Sequence, residues 1–338
     1  MESFGKEIVI ANGSSTCVLV LHGYSDTPYE FKHVAESIAA LGVDVMVPVL
    51  PHHGVDSDEI LKASRAGTWQ WLEAKVTALK ARYTKVILLG QSLGAGAAIT
   101  IAARGAPVDA IIVASTNEAT SKKIRITMGL ARAFHATSFP ARHEFLQRAG
   151  FDPAYVAWKR EHFPTISLHV FLDALDDMKQ HPVDVARIVV PIMVIHGTKD
   201  FATNVRKSSD YLFKNVRSTK KVTIMVERTG HAVFFSPHLE VLMKHVKAFI
   251  QDIVDRGNEG GDRHAHPHPQ GRSGGNGTVN GADSDPLRAL LGGGFERVGN
   301  GPVVHPGMQG LDGDLGGNIN GPSVVKVPAW VEHPLGKY

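Results

Sequence analysis

KVILLGQSLGAG, residues 85–96, changes character abruptly. Val86–Leu89 is an apolar run suited to a buried strand, and AGAAITIAARG (95–105) is the small, apolar kind of stretch that packs as a helix on a sheet. Between the two, Ser92 is flanked by Gly90 and Gly94. A tight turn without chemistry is one reading. A serine held in the open as a nucleophile is the other. A sharp strand-to-helix turn crowds its neighbours, and glycines two before and two after the serine remove that bulk. The helix that follows brings its positive end to any negative charge formed there.

Outward from this turn the chain alternates. CVLVLHG (17–23), VDVMVPVLP (43–51), DAIIVAS (109–115), PIMVIHG (191–197) and KVTIMVE (221–227) read as further buried strands. EFKHVAESIAAL (30–41) and TWQWLEAKVTALKARY (68–83) carry apolar residues at steps of three and four, as helices do. PHLEVLMKHVKAFIQDIVD (237–255) starts on proline and is followed by Gly257, a helix with both end signals. Strand–helix alternation predicts an α/β domain over residues 1–256, with a mostly parallel central sheet covered by helices on both faces.

Two regions depart from this rhythm. Residues 119–187 hold helix-like pieces, MGLARAF (128–134) and HEFLQRA (143–149), and no convincing strand; they read as an inserted helical cap. Residues 257–338 are rich in Gly, Asn, Pro and His and too poor in apolar residues to build a core, which predicts an extended or disordered tail. NGPVV (300–304) and NGPSVV (320–325) form a faint repeat, and VVKVPAWVEHP (324–334) regains Val and Trp. The tail is therefore also a candidate arm for docking on a protein partner, with the rest of the chain as a module of a larger assembly and catalysis secondary or absent.

Bulk properties exclude several classes. The 338 residues are 43% hydrophobic with a formal net charge of +3, and basic residues are scattered rather than striped, so nucleic acid is not an expected partner. No apolar run approaches the ~20 residues of a membrane helix, and MESFGKEIVIANGSST has no secretory pattern. The one cysteine, Cys17, lies in an apolar run and reads as a small core residue. These features predict a soluble, cytoplasmic protein. HAHPH (264–268) reads as solvated sequence rather than a metal site, and no cofactor is expected.

A serine hydroxyl needs a base, and the base needs an orienting group. In parallel sheets such groups gather at the carboxyl ends of strands. Asp200, in HGTKDFAT, and His231, in RTGHAVF, each follow a strand, on the edge where Ser92 stands, in the order serine, acid, histidine. Asp173, Asp176 and Asp177 are weaker rivals on the cap side. An oxyanion hole needs two N–H donors. The amide of Leu93 is one, and that of Tyr24, after His22-Gly23 in LHGYSDTP (21–28), is the second. His22 reads as a brace for its loop.

LHGYSDTP, PVLPHHG (48–54), GTWQWLEAKV, GQSLGAG, HGTKD and GHAVF together resemble the α/β-hydrolase superfamily, and most nearly its small bacterial carboxylesterases and monoacylglycerol lipases. The resemblance spans roughly residues 8–255. It implies ester hydrolysis through an acyl-serine, with Ser92, Asp200 and His231 as triad, Tyr24 and Leu93 as oxyanion donors, and a cap that shapes the acyl pocket. Three departures stand out: the valine common about three residues after the acid comes only at Val205, Ser236 stands where an acid often follows the histidine, and His52 occupies a position where glycine is common. Phe134, Phe139, Phe145, Phe151, Tyr155, Trp158, Phe163 and Phe171 suit either an apolar acyl pocket or the cap's own core. Short to medium acyl chains, monoacylglycerols included, are the expected substrates.

Overall fold

The computed structural model describes residues 4–116, 138–168 and 182–256, short pieces at 126–127, 129–130, 172–173 and 176, and the backbone of 295–298. The expected sheet is present. Strands β1 (Ile8–Ile10), β2 (Thr16–Leu21), β3 (Asp44–Val47), β4 (Lys85–Gln91), β5 (Ala110–Ala114), β8 (Ile192–Gly197) and β9 (Lys221–Val226) lie in the order β1-β3-β2-β4-β5-β8-β9. All neighbours are parallel except β1 on β3. Phe295–Val298 lies parallel beside β9 as β10. The remainder of the tail, its repeat, HAHPH and the proposed docking arm lie outside the described residues.

Each central strand is buried on both faces. Cys17, Leu19 and Leu21 of β2 pack on one side, with Leu72, Val76 and Leu79 of α2 (Arg65–Lys80), Ile99 and Ile101 of α3 (Leu93–Arg104), and Leu212 of α6 (Val205–Asn215). Val18 and Val20 face the other, with Val34 and Ile38 of α1 (Lys32–Ala39) and Leu242, Val246, Phe249 and Ile250 of α7 (Leu239–Asp255). Alternation along the strand is the two-residue period of the pleat. Each such side chain, fully buried, contributes about 1.5–3 kcal/mol through removal of its apolar surface from water. Local signals start the helices: the Ser64 side chain accepts from the Gly67 amide at 3.0 Å to open α2, and Asn204 accepts from the Lys207 amide to open α6. Val205, late for the family pattern, is thus the first residue of a helix.

The segment between β5 and β8 differs from the sequence expectation in one respect. It contains α4 (Glu144–Arg148) and α5 (Pro153–His162), but also two strands, β6 (Ser138–Pro140) and β7 (Thr165–Ser167), paired antiparallel apart from the main sheet. Three residues each are too few for a period to show, and Pro140 is tolerated because this is an edge. MGLARAF falls mostly outside the described residues, as do Phe134, Phe171 and the side chain of Phe139. Of the remaining aromatics, Tyr155 and Phe163 are buried, and Trp158 stacks on Tyr155. Phe145 and Phe151 both pack against Phe235, which follows His231 in the chain. These rings hold the segment to itself and to the sheet body.

Candidate active site

The strand-to-helix turn after β4 is as tight as its glycines suggested. A Cβ on Gly90 would lie 2.5 Å from the Gly94 carbonyl carbon, and one on Gly94 would lie 2.5 Å from Leu21 O. Ser92 sits between them at φ 52°, ψ −109°, a left-handed backbone that a non-glycine residue adopts only at a cost of about 1–3 kcal/mol. Its amide donates to Ala114 O at 2.9 Å, tying the turn to β5.

Ser92, Asp200 and His231, distant in sequence, converge here. His231 Nε2 is 2.9 Å from Ser92 Oγ, and His231 Nδ1 is 2.8 Å from Asp200 Oδ2. A carboxylate only accepts, so Nδ1 carries the proton and Nε2 is left to accept from the serine hydroxyl. The Asp200 side chain is fully buried, whereas that of His231 is 25% exposed, so the imidazole stands between core and solvent. Burial alone would raise the Asp200 carboxyl; hydrogen bonds from His231 and from the Ala202 and Thr203 amides outweigh it and hold it below its ordinary value. The loops of the acid and the histidine brace each other: the Lys199 amide donates to Thr229 O at 2.8 Å, and the Arg228 amide to Thr198 Oγ1 at 2.9 Å. Ser115, at the end of β5, donates its hydroxyl to His231 O. Nothing local in the sequence singles Ser115 out.

Leu93 is the first residue of α3, where an N–H has no partner within the helix. The loop carrying Tyr24 also reaches Ser92, since a Cβ on Gly23 would lie 3.6 Å from Ser92 Cβ. His22 braces this loop with both ring nitrogens: Nδ1 donates to Gly23 O at 2.9 Å, and Nε2 accepts from the Leu50 amide at 3.1 Å. His53 packs edge-on against both His22 and Tyr24. His52, where glycine is common, holds the left-handed conformation that explains the preference, φ 63°, and its ring pairs with Glu59 at 2.9 Å.

Three imidazoles around the site are buried and neutral. Burial pushes His22 well below the ordinary range, and brings His53 and His196 each to about 4. Above the free value of about 6.5 neither folded nor unfolded chain binds these protons. As pH falls from there toward 4, the unfolded chain takes them up and the fold does not, so stability declines with pH. His53 and His196 each carry up to about 3 kcal/mol of this loss. Urea midpoints are expected to drop steeply between pH 6.5 and 4.5, and less steeply in His53→Asn. A flat profile over that range would exclude neutral buried imidazoles.

Known proteins share this fold. The model of the alpha/beta hydrolase family matches residues 18–242. A thermostable monoacylglycerol lipase from Bacillus sp. (strain H-257) is 24% identical over 231 residues, covering 67% of this chain and 87% of that protein. Among solved structures, a metagenome-derived lipolytic enzyme superposes with TM-score 0.58 at 18% identity, covering 74% of this chain and 98% of the other. The monoacylglycerol lipase of Paleococcus ferrophilus gives TM-score 0.58 at 18% identity, over 73% and 98%. Among the described residues no helix is long and apolar enough to cross a membrane. With a family match over residues 18–242, which hold Ser92, Asp200 and His231, this chain belongs to the alpha/beta hydrolase family.

Proposed function

We propose that the protein is a serine hydrolase that cleaves carboxylic esters through an acyl-serine. The observation that carries this reading is the hydrogen-bonded line Asp200–His231–Ser92, with both links under 3 Å and the serine on a strained turn at a helix start. His231 Nε2 accepts the Ser92 proton as Oγ attacks the ester carbonyl. Asp200 holds the tautomer and stabilises the imidazolium. The Tyr24 and Leu93 amides receive the oxyanion. The imidazolium then protonates the leaving alkoxide, and water repeats the sequence to free the acid and restore Ser92. The cycle balances with water alone and requires no metal or organic cofactor.

The segment between β5 and β8 acts as a cap over the acyl side of the site. Monoacylglycerols and other esters of short to medium acyl chains are the proposed substrates. Their support is the Bacillus relative and the Paleococcus ferrophilus neighbour, both named as monoacylglycerol lipases. A buried single cysteine fits the reducing interior of a cell, and a cytoplasmic location is proposed on that ground. The test of mechanism is a fluorophosphonate probe followed by peptide mapping: a single adduct on Ser92 is expected. Labelling elsewhere, or none, overturns the assignment. A p-nitrophenyl ester series tests the substrate class, with highest kcat/KM expected at short to medium acyl length.

A further inference from the structure

Behind the oxyanion loop lies a buried polar cluster that the triad does not use. Lys159, on α5, extends its ammonium into the body of the protein, where its side chain is 3% exposed. It donates to Ser25 O and to Glu30 Oε1, and the Glu30 side chain is fully buried. Tyr155, one turn earlier on the same helix, also donates to Glu30 Oε1, and its hydroxyl lies 2.9 Å from Thr27 Oγ1. Asp26 closes the loop on itself: its Oδ2 accepts from the Gly23 amide at 3.0 Å, and its own amide donates to Gly23 O at 3.2 Å. Only glycine permits this approach, because a Cβ on residue 23 would sit 2.6 Å from Asp26 Oδ2. Ser25, held at φ 60°, turns its carbonyl toward Lys159.

The Asp26 carboxyl is pushed well above the ordinary range, first by burial and then by the neighbouring Glu30. Glu30 Oε2 is buried without a hydrogen-bond partner among the described residues. The Lys159 ammonium also adds to the lowering of His22, His53 and His143.

We propose that Asp26 and Lys159 are positioning residues for the Tyr24 amide, so that the oxyanion loop is competent only while α5 is docked. The residues between Gly23 and Thr27 are pinned at Gly23 by Asp26, at Ser25 by Lys159 and at Thr27 by Tyr155, which leaves the Tyr24 peptide no independent freedom. This inference rests on the ester hydrolase reading above.

The experiment compares Asp26→Asn, Asp26→Ala, Lys159→Met and Tyr155→Phe with the parent, using p-nitrophenyl butyrate, at a temperature where melting curves show each variant folded. Asparagine keeps a side-chain oxygen that accepts from the Gly23 amide, so Asp26→Asn is expected within about threefold of the parent kcat. Asp26→Ala and Lys159→Met are expected to lose about tenfold or more in kcat with KM changed less than about threefold, since a displaced oxyanion donor acts in the transition state. Tyr155→Phe, the mildest change, is expected to fall between. Parent-like kcat in folded Asp26→Ala or Lys159→Met overturns the proposal, as does a loss in Asp26→Asn equal to that in Asp26→Ala. If Lys159→Met does not fold, the Asp26 pair and Tyr155→Phe decide. Fluorophosphonate labelling of the parent separates the two levels: without an adduct at Ser92 the hydrolase reading fails and this one with it, whereas a labelled parent with an unaffected Asp26→Ala fails only this one.

Discussion

Ser92→Ala is expected to lower ester hydrolysis by about 10⁴-fold or more while leaving the protein folded. Removing Oγ removes the proposed attacking atom, and the amides of Tyr24 and Leu93, the proposed oxyanion donors, remain to give a small residual rate. The fold has little to lose, because Oγ makes its one described hydrogen bond to His231 and the backbone of residue 92 is held by Ala114 O instead. His231→Ala in the Ser92→Ala background should cost almost nothing further, since a base without its nucleophile has no proton to take. The strain at φ 52° adds a second expectation. Ser92→Gly should match Ser92→Ala in inactivity yet melt higher, by about 2 °C, because glycine adopts this backbone without steric cost. Residual activity above one-hundredth of the parent in Ser92→Ala would remove Ser92 from the mechanism. A glycine variant less stable than the alanine variant would show that the turn is not strained.

Much of this architecture can be read directly from residue patterns. Continuous apolar runs such as Val86–Leu89 and Ile111–Val113 mark strands buried on both faces, and both strands are found there. Asp200 and His231 stand out because each follows such a run, and strand ends on one edge of a parallel sheet are neighbours in space whatever their distance along the chain. Other features leave no such trace. β1 is three residues long with Val9 half-exposed, so neither length nor alternation announces it. β6 and β7 are stabilised by each other, and neither has a period of its own. The start of α5 did carry a signal, Asp152 before Pro153, with the aspartate accepting from the Ala154 amide at 2.7 Å. Lys159 and Glu30 are the extreme case. Charged residues on helical stretches read as solvated, and their pairing is a tertiary fact that spans 129 positions.

Gly94→Ala is expected to destabilise the fold by about 3 kcal/mol or more and to lower kcat in whatever remains folded. The added Cβ would meet Leu21 O at 2.5 Å, Leu21 Cβ at 2.6 Å and His22 O at 2.8 Å, two of them backbone atoms of β2 and its exit. Backbone cannot swing aside as a long side chain can, so α3 must move away from β2. That displacement acts on chemistry as well as stability: the start of α3 carries Leu93, and the residues just past His22 carry Tyr24, so relieving the clash pulls apart the two amides proposed as oxyanion donors. Gly96→Ala, two positions along the same helix, is the control. A Cβ there meets nothing within 4 Å, and alanine should gain about 0.5–1 kcal/mol from helix propensity with activity unchanged. Urea unfolding and p-nitrophenyl ester kinetics on the two variants read both effects. Equal stability in the pair would mean that β2 and α3 are not in close contact at this turn. A destabilised Gly94→Ala with parent kcat would mean that Leu93 and Tyr24 do not need their present separation, and the oxyanion site would have to be sought elsewhere.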